Sequence, residues 1–417
     1  MRSLSVSLLL LAAVSATPVP SQKRGTITLL EGKPRLSIAE RAELSGRSLK
    51  DIIAQDTANV VAKYEHNLQL IKAAEAQGEN LLSKRGSSAT IGLTDVQSGG
   101  VDELYYGTLG MGTPSQAITF DFDTGSSDLW VPTQNSDAYN DGTHFNTAKS
   151  STYKNTGQSF SDQYGSGSVT GSLAIETVRF GSLTATNQYF GAATHVSSSF
   201  DNNPATGLCG LAYQSIASTG QKPLPMNLYA EGQLSAPEFG FRLTRGTSSG
   251  AELTMGGVAS DYASSTFKTT PVTSRTYYEV GTNGMTVKGS VVSGSFPAAI
   301  DTGTTLIYVP TSAAAAFWSA IPGSSANGDG SYNYPCNFAG PVGISFPNIG
   351  NLNFAIADLN IGAVGGGMCT GAVLGQDVQD ANGQNFAIVG DTFIKSYYTL
   401  FNFGSNYVGF TPAHNYA

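Results

Sequence analysis

The sequence is poor in charge, in cysteine and in long apolar runs. Only 12% of its 417 residues are charged, and the net charge is −8. After the N-terminus no stretch reaches the roughly 18 apolar residues of a membrane-spanning helix, and the C-terminus has no apolar tail. Three cysteines are too few for a disulfide scaffold, and neither they nor the four histidines match a zinc site. We predict no metal, no cofactor, no membrane anchor and no nucleic-acid partner.

Glycine and aromatic residues are abundant instead. The chain holds 49 glycines, 19 tyrosines and 20 phenylalanines, a composition typical of short strands joined by many turns. Short β patterns recur after residue 86, for example over 117–122 and 169–180. We predict a mostly β protein, long enough for two or three folded units.

The first 16 residues have the features of a cleaved secretory signal. Arg2 precedes an apolar run over 8–14 and a small-residue exit, Val14-Ser15-Ala16. The alternative is a buried core strand. We predict a signal peptide over 1–16 and a secreted protein, with a vacuolar destination left open because the signal fixes only the route.

The charge distribution divides the rest of the chain at a dibasic pair. Residues 1–85 hold 12 Lys or Arg against 8 Asp or Glu, whereas residues 86–417 hold 10 against 22. Lys84-Arg85 lies at this break. We predict a processing site there, with ordinary surface charge as the alternative.

The segment 17–85 is predicted to be a removable pro-segment. From Ser37 to Glu79 it is rich in Ala, Leu, Lys and Glu, with apolar residues at near-helical spacing, which predicts a helix. A cationic segment is held by an anionic body near neutral pH, and protonation of carboxylates in acid releases it. We expect it to act as an intramolecular inhibitor.

The body of the chain contains a long-range internal repeat. Asp123-Thr124-Gly125-Ser126-Ser127 recurs as Asp301-Thr302-Gly303-Thr304-Thr305. A glycine that ends an apolar element follows each aspartate after 87 and 89 residues, in Leu208-Cys209-Gly210 and Ile388-Val389-Gly390. Matching order at matching separation predicts two similar lobes.

The repeated aspartates predict the chemistry. Each lies in a turn between two apolar strand patterns, and an approximate two-fold would bring Asp123 and Asp301 face to face. Two close carboxylates cannot both ionise cheaply, so they share a proton, and one is a base while the other is an acid. Such a pair can deprotonate a water and protonate a carbonyl oxygen and a leaving amine without a covalent intermediate.

These motifs resemble the two active-site signatures of the pepsin family, particularly of its fungal secreted members. The first runs over 122–132 (FDTGSSDLWVP) and the second over 301–304 (DTGT), and the likeness covers residues 100–417. The resemblance implies a bilobal double β-barrel with the active-site cleft between the lobes, which we place at 86–270 and 271–417.

The resemblance also implies an activity. The chain is expected to be an acid endopeptidase that cleaves proteins and peptides as a monomer, with Asp123 and Asp301 as the catalytic pair. The neighbouring residues match family positions that support the pair. They are Gly125 and Gly303 as amide donors, Ser126 and Thr304 as outer hydroxyls, and Thr124 and Thr302 as hydroxyls that lock the two loops together.

A flap and a substrate pocket are implied in the same way. Tyr164, Gly165 and Ser166 resemble the hairpin that closes over substrate, with Trp130 as the partner of the tyrosine; an ordinary turn is the alternative. Phe200, Leu208 and Tyr277 resemble pocket residues, and plain core packing is the alternative. Because Ser166 carries no charge, we expect hydrophobic residues at the cut site.

The cysteines and one lysine complete the resemblance. Only a Cys336–Cys369 bridge transfers from the family, while Cys209, in an apolar run, is expected to be a buried free thiol. Lys63-Tyr64 resembles the pair that lies over the dyad in the zymogen, with a solvated lysine as the alternative.

Two other functions compete with the endopeptidase. One is a non-enzymatic binding protein on the same fold, which the presence of Asp123, Asp301 and Tyr164 disfavours. The other is a two-carboxylate glycoside hydrolase, which does not require duplicated D-T-G loops.

Overall fold

The computed structural model describes residues 49–74, 86–98, 101–137, 144–164, 167–200, 204–380 and 382–414. The predicted signal peptide, the Lys84-Arg85 pair, Gly165 and Ser166 lie outside the described residues. Strands dominate what is described, so the prediction of a mostly β protein is confirmed.

The described residues form 27 strands, four α-helices and five short 3-10 helices. The α-helices are α1 (Leu49–Ala74), α2 (Leu224–Ala230), α3 (Thr311–Ser319) and α4 (Asp391–Ile394). The 3-10 helices are Thr147–Lys149, Ser198–Phe200, Gln214–Ile216, Ser260–Tyr262 and Ile356–Leu359. The strands are β1 (Ala89–Ser98), β2 (Val101–Met111), β3 (Gln116–Asp123), β4 (Leu129–Pro132), β5 (Lys154–Tyr164), β6 (Gly167–Phe180), β7 (Leu183–Val196), β8 (Gly207–Gly210), β9 (Glu238–Arg242), β10 (Ala251–Met255), β11 (Lys268–Arg275), β12 (Tyr278–Gly281), β13 (Gly284–Val287), β14 (Ser290–Val291), β15 (Pro297–Ile300), β16 (Ile307–Val309), β17 (Ser325–Ala326), β18 (Tyr332–Pro335), β19 (Val342–Phe346), β20 (Gly350–Phe354), β21 (Asn360–Gly365), β22 (Met368–Gly371), β23 (Val373–Gly375), β24 (Val378–Gln379), β25 (Asn385–Val389), β26 (Tyr397–Asn402) and β27 (Tyr407–Pro412).

The two halves of the body repeat one strand arrangement. In the first half β3 is parallel to β8, β8 is antiparallel to β4, and β4 is parallel to β7. In the second half β15 is parallel to β25, β25 is antiparallel to β16, and β16 is parallel to β23. The sequence repeat is therefore also a repeat of topology.

One antiparallel sheet joins the halves. Its strand order is β1-β10-β9-β26-β27-β11, so β9 of the first half pairs with β26 of the second. Phe239 and Phe401 lie opposite each other in this pair, with stacked rings 5.2 Å apart. The lobe boundary predicted between 270 and 271 falls within β11 of this sheet.

In each half, short strands at the centre are buried along their whole length, and β16 and β23 are the examples in the second half. All residues of β4 (LWVP) and β8 (GLCG) are buried. Strands covered on both faces need continuous apolar sequence, whereas strands with one open face alternate. These short apolar runs hold the D-T-G loops against the core.

The helix predicted in the pro-segment is present as α1, over 49–74 of the predicted 37–79. Its residues Ile53, Tyr64 and Ile71 are buried in a cluster that includes Tyr277 and Phe386 of the second half. This burial supplies the stabilisation that an isolated amphipathic helix lacks. Among the described helices none is long and apolar enough to cross a membrane.

The cysteine predictions are confirmed. Cys336, next to β18, bonds to Cys369 in β22, with the two Cα atoms 5.1 Å apart. Since β18 and β22 are paired strands, the bridge closes a 33-residue separation across an existing ladder. Cys209 is a buried free thiol.

Candidate active site

The two repeated aspartates meet where the two halves of the body come together. Asp123 is the last residue of β3, and Asp301 directly follows β15. Their side chains are deeply buried, with residue exposures of 2% and 0%. Each strand is held by a parallel neighbour, β8 or β25, so the equivalent topology delivers both carboxylates to one place.

Two threonines lock the loops to each other. The amide of Thr124 donates to Thr302 Oγ1 at 3.1 Å, and the amide of Thr302 donates to Thr124 Oγ1 at 3.0 Å. Each hydroxyl then donates across the junction, Thr124 to the carbonyl of Ile300 at 2.8 Å and Thr302 to that of Phe122 at 2.7 Å. These four hydrogen bonds satisfy six buried polar groups, which fixes the relative position of the loops.

Each carboxylate accepts the same pair of local hydrogen bonds. Asp123 accepts from the Gly125 amide at 2.7 Å and from Ser126 Oγ at 2.6 Å. Asp301 accepts from the Gly303 amide at 3.0 Å and from Thr304 Oγ1 at 2.6 Å. The six residues predicted to support the pair thus all contact the aspartates or the opposite loop.

The two glycines are required by close approach. A Cβ on Gly125 would lie 2.5 Å from Asp301 Oδ2, and a Cβ on Gly303 would overlap Asp123 Oδ1. Real Cβ contacts are not this short, so only glycine at both positions lets each loop pass the other aspartate.

Lys63 and Tyr64 of α1 occupy the junction between the two D-T-G loops. Lys63 Nζ lies 2.9 Å from Asp123 Oδ1 and 3.2 Å from Asp301 Oδ2. Tyr64 Oη donates to Asp301 Oδ2 at 2.9 Å, and Asn67 Nδ2 donates to the Gly125 carbonyl at 3.1 Å. The solvated-lysine alternative is wrong, because Lys63 is buried against both carboxylates.

Burial and neighbouring charges shift the pKa values of Asp123 and Asp301 in opposite directions. Burial raises the pKa of Asp123 to about 6, although the Lys63 charge acts to lower it. Burial also acts to raise the pKa of Asp301, but the Lys63 charge and hydrogen bonds from Asp123, Thr304 and Gly303 outweigh it and lower the pKa to about 2. Burial lowers the pKa of Lys63, yet the two carboxylates raise it above its ordinary value overall. At mildly acidic pH the pair therefore holds one proton.

The predicted flap is the hairpin of β5 and β6, whose first strand ends at Tyr164. Trp130 Nε1 donates to Tyr164 Oη at 2.8 Å, which places the predicted partner beside the tyrosine. Phe200 lies edge-on to both rings, 5.5 Å from Trp130 and 5.7 Å from Tyr164. Leu208 completes this apolar cluster.

Two recesses flank the junction. The smaller one is lined by Trp130, Phe200, Leu208 and also Asp121. The larger one is lined by residues of α1 and of the second half, including Tyr277, Phe386 and several polar side chains. Tyr277 thus lines a different recess from Phe200 and Leu208, and the centre of its ring lies 4.7 Å from that of Tyr64.

Sequence reasoning missed one buried acid beside the flap tyrosine. Asp162 Oδ2 accepts a hydrogen bond from Tyr164 Oη at 2.7 Å. Phe160, Asp162 and Tyr164 are all buried on one face of β5. The period of two in a strand is the signal that could have found Asp162, since residues 160 and 164 point the same way.

The comparisons with known proteins agree with this geometry. The family model described as eukaryotic aspartyl protease matches residues 104–413. Pepsin A of Rhinolophus ferrumequinum is 37% identical over 317 residues, which cover 75% of this chain and 82% of that protein. An aspartic protease of Phaffia rhodozyma is 32% identical over 421 residues, which cover 97% of this chain and 98% of that protein. Pepsin A of Sus scrofa is 37% identical over 317 residues, with the same coverage as the first. The chain therefore belongs to the eukaryotic aspartyl protease family and is an aspartic endopeptidase.

Proposed function

We propose that this chain is the zymogen of an acid endopeptidase whose catalytic pair is Asp123 and Asp301. The observation that carries the proposal is that both carboxylates lie within hydrogen-bonding distance of one ammonium, 2.9 and 3.2 Å from Lys63 Nζ. A water molecule in place of that ammonium would contact both carboxylates at once.

The pair would divide the proton transfers of hydrolysis between its members. The ionised carboxylate takes a proton from the water as it attacks the peptide carbonyl carbon, and the protonated carboxyl donates to the carbonyl oxygen. The proton taken from the water then passes to the leaving amine as the C–N bond breaks, and the proton given to the carbonyl oxygen returns to the pair. The Gly125 and Gly303 amides and the Ser126 and Thr304 hydroxyls orient the carboxyl groups throughout.

The segment 17–85 would inhibit the enzyme until it is removed near Lys84-Arg85. Support comes from α1, in which Lys63 and Tyr64 contact the two aspartates directly. Acid would weaken this contact because Asp301, with its pKa lowered to about 2, has to bind a proton that Lys63 disfavours. The remaining body, 86–417, comprises the proposed lobes 86–270 and 271–417.

The substrate would present hydrophobic residues at the cut site. The smaller recess beside the junction is lined mainly by apolar side chains, including Trp130, Phe200 and Leu208. Burial of a large apolar side chain there would stabilise the complex by roughly 1.5–3 kcal/mol. Tyr277, on the other side, would contact the part of the substrate beyond the scissile bond.

The predicted signal peptide 1–16 would send the protein into the secretory route, with an extracellular destination proposed and a vacuolar one open. A monomer is proposed because the dyad, its supports and the flap tyrosine all come from one chain.

The test is digestion of a random peptide library at acidic pH by the processed protein, with and without a statine-type transition-state analogue. We expect cleavage mainly next to Phe, Leu or Tyr, and its loss when the analogue is present. Cleavage that resists the analogue, or hydrolysis of a polysaccharide instead of peptides, would contradict the proposal.

A further inference from the structure

The phenol of Tyr164 is held by two partners with opposite roles. Trp130 Nε1 donates to Tyr164 Oη at 2.8 Å, and the phenol donates its own hydrogen to Asp162 Oδ2 at 2.7 Å. A phenol has one hydrogen, so its direction is set by the acceptor. Asp162 is that acceptor, and it lies on the same strand as the tyrosine, two residues away.

Asp162 is itself fixed from the side away from Tyr164. Its Oδ1 accepts from Ser218 Oγ at 2.8 Å and from the Gln163 amide at 2.9 Å. Both oxygens of the carboxylate therefore accept hydrogen bonds, and Asp162 is only 5% exposed. A buried anion with this many donors is rigid, and it transmits that rigidity to the group it orients.

A second buried carboxylate lies behind the first. Asp128, 3% exposed, accepts from the Ser218 amide at 2.6 Å and from Thr219 Oγ1 at 2.5 Å, so Ser218 bridges the two acids. Burial, and after it the charge of Asp162, raises the pKa of Asp128 to about 7. Asp128 therefore holds a proton at acidic pH.

The pro-segment also reaches this acid in the zymogen. His66 Nε2 of α1 lies 3.3 Å from Asp162 Oδ1. The same helix thus contacts the dyad through Lys63 and approaches Asp162, the hydrogen-bond acceptor of Tyr164, through His66. Removal of α1 leaves Asp162 with its partners from the body, namely Tyr164, Ser218 and Gln163.

We propose that Asp162 is a positioning residue of this endopeptidase, which fixes the phenol of Tyr164 over the cleft and thereby aligns the bound peptide with the dyad. The proposal rests on the proposed function, since the orientation of the flap matters to the rate only if Asp123 and Asp301 cleave peptides. Asp162 touches no reacting atom and acts through Tyr164.

The decisive variant is Asp162→Asn, which keeps the shape of the side chain and leaves one acceptor oxygen. If that oxygen keeps the Gln163 amide and Ser218, the amide nitrogen faces Tyr164 Oη, which already accepts from Trp130 and must turn its hydrogen elsewhere. We expect kcat/KM for a peptide substrate at acidic pH to fall about tenfold or more, the range of a lost hydrogen bond to a charged group. Titration of the active sites with a tight-binding transition-state analogue gives the concentration of folded enzyme, by which the measured rate is divided.

A double-mutant cycle separates positioning from a structural role. In a Tyr164→Phe background the phenol is gone, so Asp162→Asn should change kcat/KM by less than about twofold. A tenfold loss in both backgrounds, or a loss of thermal stability with wild-type kcat/KM per titrated site, would overturn the proposal.

Two further variants keep the test informative if Asp162→Asn folds poorly. Ser218→Ala removes one donor to Asp162 and is expected to lower kcat/KM in the same direction by a smaller factor, whereas wild-type kcat/KM in this variant would count against the proposal. Asp137→Asn is the matched control, because Asp137 is 57% exposed in the same half and pairs with His195 instead of the flap. Wild-type protein that cleaves no peptide would refute the proposed function itself; active wild type with an unaffected Asp162→Asn refutes only the role of Asp162.

Discussion

Thr124 and Thr302 each give a backbone amide to the hydroxyl of the other, at 3.1 and 3.0 Å. Because these bonds cross from one half of the body to the other, they set the separation of the two carboxylates. The separation of the two carboxylates therefore depends on residues that bear no charge and contact no reacting group.

Replacement of either threonine by valine is expected to reduce stability and activity together. The change conserves shape but removes the acceptor for a buried amide and the donor to a buried carbonyl, at a cost of about 1–3 kcal/mol. Chemical unfolding and kcat/KM measure the two effects. Thr269→Val, at an exposed position of β11, is the control and should match wild type. Equal stability of Thr302→Val and the control would show that the lock contributes little.

The Asp123→Asn and Asp301→Asn variants are each expected to lose peptidase activity with the fold intact. Either change removes a proton that the shared pair has to move, and loss of a general acid or base lowers the rate by roughly 10²- to 10⁴-fold or more. The measurement is peptide hydrolysis at acidic pH after processing in trans, beside circular dichroism. Asp261→Asn, at an exposed acid, is the control. A dyad variant with more than about a tenth of wild-type turnover would contradict the assignment.

The meeting of Asp123 and Asp301 was predictable because the repeat encodes equivalent strands that end at equivalent carboxylates. The position of Lys63 was implied only by the family resemblance, because a lysine on a helix is usually solvated and only the docking of α1 against the body buries it. Asp162 was missed because its importance depends on which face of β5 is covered, a tertiary property. The lobe boundary stays a prediction, since β11 runs through it and pairs with both β12 and β27.

The Lys63→Ala zymogen is expected to leak activity near neutral pH. Without the ammonium, the two carboxylates lose the charge that spans them, and α1 is held by its remaining contacts. The measurement is cleavage of a peptide by unprocessed protein between pH 5 and 7. Glu65→Ala, exposed on the same helix, is the control. Latency equal to that of wild type would mean that Lys63 does not block the dyad.

The docking of the pro-segment against the dyad should lose stability as the pH falls. The pKa of Asp301 is lowered from 3.8 to about 2, so its contribution to the stability of the zymogen is present above pH 3.8 and is lost as the pH falls through about 2. Thermal unfolding of the Asp123→Asn zymogen measures this between pH 5 and 2, because the variant cannot process itself and keeps the Lys63, Thr304 and Gly303 contacts that lower the pKa of Asp301. A melting temperature that rises over this interval would contradict the sign.

The Cys336–Cys369 bridge is expected to stabilise the protein by about 3–4 kcal/mol through loop entropy. The double variant Cys336→Ala/Cys369→Ala should unfold at lower denaturant concentration, and a reductant should have no further effect on it. Reduced wild type should match the double variant. If oxidised wild type and the double variant unfold together, the bridge does not stabilise the fold.

The cut site should favour Phe, Leu or Tyr immediately before the scissile bond. The smaller recess offers aromatic and aliphatic surface, and Ser166 of the flap has no charge to pair with a lysine ammonium. Ser166→Asp should raise relative cleavage after Lys by roughly 1–3 kcal/mol in transition-state terms, the size of a charged hydrogen bond. The measurement is the ratio of kcat/KM for matched peptides with Lys or Phe before the cut, and Ser166→Asn is the uncharged control. A wild-type enzyme that already prefers Lys would refute the apolar pocket.

Asp121→Asn would then test whether the carboxylate that lines the same recess is responsible, because its loss should restore the preference for Phe while the dyad remains intact.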